Sequence, residues 1–133
     1  MRGWSVWVYY AVHEYYAEEI MERLAWCGMT DEAMRRTAWD NLTSGRLDTG
    51  LTFARDKRAV VVVGSASAAS QYANSISHEI HHLSVFIAKA EGIELDSEEV
   101  CYIDGEIAEA MWEVTKYLTS ECGCYYDLIG REL

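Results

Sequence analysis

The chain reads as an α+β protein, and three observations predict this. Residues 4–12 and 51–64 are rich in aromatic and β-branched side chains, the composition of strands. Residues 14–42 and 71–119 carry apolar side chains at helical spacing instead. Proline is absent, which fits a helix-rich chain with short turns. The length, 133 residues, is that of one domain, 1–133, and half of the residues are apolar, a globular composition.

The elements follow in order. Residues 4–12 form a first strand. From 14 to 27 the period changes: Tyr16, Ile20 and Leu24 fall one turn apart with Ala17 and Met21 beside them, making one helical face. Gly28 stops that helix. Thr30 is placed to cap a second helix over 31–42, which turns Met34, Ala38 and Leu42 inward. Residues 43–50 read as loop. Residues 51–54 and 58–64 form a hairpin around Asp56 and Lys57. Val60, Val61, Val62 and Val63 are an unbroken apolar run, so both faces of the second hairpin strand are covered. A third helix spans 71–90 and ends at Gly92. The last spans 97–119, with Val100, Ile103, Ile107, Met111, Val114 and Leu118 as its buried stripe. The order is β-α-α-β-β-α-α.

Charge and composition exclude several functions. Twenty-two acidic residues against 11 basic ones give a net charge of −11, which repels phosphate backbones and anionic lipid. Neither nucleic acid nor membrane is an expected partner. Arg55, Lys57 and Arg58 are the densest basic group and read as a solvated hairpin tip. No apolar run reaches the length of a membrane span, and no signal peptide is recognisable, so a cytoplasmic location is expected. Cys27, Cys101, Cys122 and Cys124 are then expected as reduced thiols. Cys122-Gly123-Cys124 is one residue short of the usual metal-binding spacing and has no second pair.

The segment that carries chemistry is His78-Glu79-Ile80-His81-His82. It contains His-Glu-x-x-His. On a helix His78 and His82 project from one face, one turn apart, as two metal ligands must. Glu79 is placed to take a proton from water at the metal. Ile76, Ile80, Leu83, Phe86 and Ile87 make the helix largely buried, and two imidazoles beside a carboxylate are costly to bury without a purpose. Two imidazoles plus a carboxylate suit zinc, with manganese, iron and cobalt as the alternatives.

A catalytic zinc needs a third protein ligand. Asp96 can cap the last helix with Glu99 at its third position, which leaves Glu98 without a structural task. Glu98 is therefore the favoured third ligand, Glu99 the second choice, and Glu106 or Glu109 more distant ones. Asp104 and Glu109 are also candidates to accept the free imidazole N–H groups. His81 reads as an exposed histidine.

His78-Glu79-x-x-His82 followed by Glu98-x-x-Cys101-Tyr102 resembles the gluzincin pattern, in which a glutamate on the next helix completes the site. More narrowly it is similar to the compact zincin-like peptidases related to the ImmA/IrrE group, and to small HExxH proteins of phages and prophages. The resemblance spans about residues 60–118. It implies a minimal zincin-like domain, with a small, mostly antiparallel sheet packed against the HExxH helix and a C-terminal ligand helix. It implies Zn2+ as cofactor, held by His78, His82 and Glu98, with Glu79 as general base and a protein or peptide as substrate. It also implies a strand that pairs with extended substrate, for which residues 58–63 are the candidate. Tyr72, Tyr102, Tyr125 and Tyr126 are candidates to stabilise the oxyanion. The expected function is a zinc-dependent metallopeptidase. The alternative is a non-catalytic metal-binding interaction protein, virion-associated in the phage case. Trp4, Trp7, Tyr9, Tyr10, Tyr15 and Tyr16 are its candidate binding face, if they do not simply fill the core.

Overall fold

A computed structural model describes residues 1–12, 16–44, 50–120 and 131–133. Its elements are β1 (Ser5–Val12), α1 (Ala17–Trp26), α2 (Glu32–Thr43), β2 (Leu51–Arg55), β3 (Arg58–Gly64), α3 (Ala69–Glu91), α4 (Glu98–Leu118) and the short β4 (Arg131–Glu132). The order matches the sequence reading, with β4 added at the end. His13, Glu14, Tyr15, most of the expected loop, Cys122, Cys124, Tyr125 and Tyr126 lie outside the described residues.

The sheet is mixed, in the order β2-β3-β1-β4. β3 runs antiparallel to β2 and parallel to β1, and β4 runs antiparallel to β1. The alternation of the strands decides which helix packs where. Val6, Val8, Ala59, Val61 and Val63 face α3 and α4, where they meet Ile76, Leu83, Ile103, Ile107 and Met111. Tyr9, Val60 and Val62 face the other way, onto Ile20, Leu24 and Ala38 of α1 and α2. The four consecutive valines are therefore covered on both faces, as their unbroken run predicts. Helices thus cover both faces, with the sheet as the middle layer.

Local chemistry fixes the element ends. Asp56 and Lys57 both have positive φ, 52° and 62°, the two-residue turn whose twist suits a hairpin. Gly28, at φ 98°, ends α1 and donates to the Ala25 carbonyl, while Met29 donates to Leu24. The cap of α2 is Asp31 rather than Thr30: its Oδ2 accepts from the Met34 amide at 3.0 Å. The cap position of α4 is Ser97, one residue beyond the expected Asp96. α3 begins two residues earlier than the pattern suggested, because the Gln71 side chain accepts from the Ser67 amide and hydroxyl. The hairpin tip is solvated, as expected, with Arg55, Lys57 and Arg58 exposed; Arg55 donates to the Gly28 carbonyl and Arg58 to that of Trp26, the last residue of α1. Among the described residues no helix is long and apolar enough to cross a membrane.

Candidate metal centre

The buried face of α3 is set by Tyr72, Ile76, Ile80, Leu83 and Ile87, which pack on the sheet and α4. That anchoring turns an adjacent stripe towards β2. Asn74, Ser75, His78 and His82 lie on this stripe, one or two turns apart. With Glu79, Gly50, Leu51 and Thr52 they line an open cavity of about 580 Å³.

The three motif residues come together. The ligand atoms of His78, Glu79 and His82 all lie within 4.8 Å of one another. The Nε2 atoms of His78 and His82 are 3.1 Å apart. Two zinc–nitrogen bonds at a tetrahedral angle would set their nitrogens about 3.3 Å apart, so this pair fits such an ion. The imidazoles are exposed, not buried as the apolar pattern of the helix suggested, and both line the cavity.

Glu79 is different. It is only 4% exposed, one of few buried polar side chains among the described residues. Burial pushes its carboxyl above the ordinary value, while the Thr52 hydroxyl and then His78 and His82 pull it back. Thr52 Oγ1 donates to Glu79 Oε1 at 3.1 Å. The other carboxylate oxygen lies against Gly50. A Cβ there would stand 2.8 Å from the Glu79 Cδ and 2.9 Å from the Val62 carbonyl oxygen, so the site needs glycine at this position.

The structure does not bring Glu98 to this group. Glu98 is exposed in the first turn of α4. The physical reason is which side of α3 receives α4. Ser84 and His81 meet α4, where both contact Asp104: the Ser84 hydroxyl donates to Oδ1, and His81 Nδ1 stands 3.7 Å from it. The motif histidines face β2 instead. The other candidates are also elsewhere. Glu99 and Glu106 pair with Arg2 at 3.6 and 3.3 Å, and Glu109 is exposed. Asp104 therefore serves Ser84 and His81 and not the motif imidazoles. Of the tyrosines, Tyr72 is buried in the core and Tyr102 is 62% exposed on α4. Neither lines the cavity.

The substrate-pairing strand also needs correction. Residues 58–63 lie in β3, which has β2 on one side and β1 on the other, so its backbone has no free edge. Among the described residues β2 and β4 are the edge strands, and β2 borders the cavity. Sequence reasoning missed Gly50, Thr52, Asn74 and Ser75. Asn74 and Ser75 were findable, since they precede His78 by four and three residues on the same helix. Gly50 and Thr52 reach the site only through strand pairing and carry no local signal. Compared with protein-family models, with curated proteins and with solved structures, the chain finds no match.

Proposed function

We propose that the protein is a zinc-dependent peptidase. The observation that supports this most is the joint placement of His78, His82 and Glu79 at an open cavity, with Glu79 buried and held by Thr52. The likeness of His-Glu-x-x-His to compact zincin-like peptidases supports the same reading. In it, His78 and His82 hold the ion, and among the described residues no third protein ligand besides Glu79 is gathered with them. Zinc supplies Lewis acidity, which acidifies water and polarises a carbonyl oxygen.

The chain's own residues do the rest. Glu79 takes the proton of the attacking water and later delivers it to the leaving amine. A carboxyl raised by burial suits that double task better than one at its ordinary value. The Thr52 hydroxyl holds Oε1 and so fixes the direction in which the carboxylate faces. Gly50 lets the carboxylate lie against the backbone. Asn74 and Ser75 line the cavity with polar groups that orient substrate. The substrate is an extended peptide or protein segment, and β2 is the edge it meets.

Elemental analysis of the untagged chain, supplied with zinc and washed, tests the metal. One zinc per chain is expected, lost in His82→Ala and retained in Glu79→Gln and in Glu98→Ala. Peptide hydrolysis should fall about a hundredfold or more in Glu79→Gln. No zinc in the unsubstituted chain overturns the reading. Zinc without hydrolysis of any peptide leaves a metal-binding interaction protein.

A further inference from the structure

We infer that a second, apolar groove beside β2 is the specificity pocket of this site, and that it takes one large uncharged side chain of the substrate. The inference rests on the peptidase reading. The groove has a volume of about 420 Å³ and runs along the outer side of β2. Its walls come from both helical layers: Met29, Met34 and Ala38 from the α2 side, Leu51 and Phe53 from β2, and Phe86 from α3. Leu51 and Thr52 line this groove and the metal cavity alike, so β2 forms a wall common to both.

Three features select the occupant. First, none of the lining side chains is ionisable, although a quarter of the chain is charged. A charged side chain entering it would lose hydration and gain no counter-charge. Second, the methionines and phenylalanines offer dispersion contacts that a small side chain leaves unused. Third, among the described residues β2 has no strand on its outer side, so alternate backbone groups there are free to pair with an extended chain.

Geometry also places the occupant. On β2, Thr52 faces Glu79, while Leu51 and Phe53 face the α1 and α2 layer. A peptide added to this edge alternates in the same way. Where one of its residues presents to the metal cavity, its neighbour presents to the groove. The selected side chain therefore lies within about two residues of the cleaved bond.

The test uses the zinc-loaded full chain and a library of capped, fluorescein-labelled octapeptides. Met34 and Thr37 both line the groove and are exposed, so substitutions there spare the core. Cleavage should enrich Leu, Met and Phe at one fixed position. Thr37→Trp fills the groove and should reduce that preference about tenfold, with zinc content unchanged. Met34→Lys should admit Asp and Glu at the same position. Anisotropy of the same peptides on Glu79→Gln reads binding without chemistry. Apolar peptides that bind there and weaken in the added Thr37→Trp background support the groove even if no peptide is cut. That result would sink the hydrolytic reading alone. Cleavage with no apolar preference, a preference unmoved by both substitutions, or no binding at all overturns the groove.

Discussion

Glu79 stands between two opposing influences. Its burial favours the neutral acid, and the Thr52 hydroxyl favours the carboxylate. The sign for stability follows. A carboxyl raised on folding contributes stability below its ordinary range, and that contribution is lost as pH rises through the raised value. Removing the Thr52 hydroxyl raises it further and leaves the buried carboxylate without that donor. Thr52→Val should therefore destabilise the metal-free protein by about 1–3 kcal/mol at neutral pH. The gap should narrow in acid, where Glu79 is protonated in both proteins. Denaturant unfolding with chelator present, at several pH values, measures it. A gap that stays constant across the series would show that Thr52 acts only by packing.

At the scale of elements, a side-chain cap decides where α2 begins, whereas α1, α3 and α4 start without a side-chain cap hydrogen bond. Asp31 holds the first turn of α2 through the Met34 amide, and Arg35 donates to the Met21 and Met29 carbonyls, tying α2 to α1 and the turn between them. Asp31→Ala should cost about 1 kcal/mol, read by thermal or denaturant unfolding, while Thr30→Ala should cost much less. Equal costs would return the cap to Thr30. The same contrast marks how far the sequence is legible. Strand and helix periods, the hairpin turn, Gly28, Gly92 and the two-sided burial of Val60 to Val63 all follow from local pattern. So does the pairing of His78 with His82, which one helical turn enforces. What local pattern does not contain is which strand is an edge, and which side of α3 receives α4. The first leaves β2, and not β3, at an edge of the sheet. The second carries Glu98 away from the histidines and brings Thr52 to Glu79. Both are decisions of tertiary packing among apolar faces of similar size, and sequence spacing is blind to them.

At the scale of the whole molecule, the site joins parts of the chain that share no local contact. His78, Glu79 and His82 belong to α3 on one face of the sheet, and Thr52 to β2 at one of its edges. Arg2 joins the N-terminus to the far side of the same layer, through Glu91, Glu99 and Glu106. An ion bound by α3 is therefore bound by the folded state, because the unfolded chain does not hold both imidazoles at 3.1 Å. If the ion is zinc, as proposed, mass action makes it a stabiliser of the entire fold. With free zinc at a hundred times its dissociation constant the gain is about 2.7 kcal/mol. For a chain of this length that raises the melting temperature by about 10 °C. The rise should vanish with chelator and in His82→Ala. It should fade as pH falls, since protons compete with the metal for imidazole nitrogen. Calorimetry or a thermal shift series, run with and without zinc, decides this. A melting temperature indifferent to zinc, or an equal rise in His82→Ala, would mean that the two histidines share a turn of helix without sharing an ion.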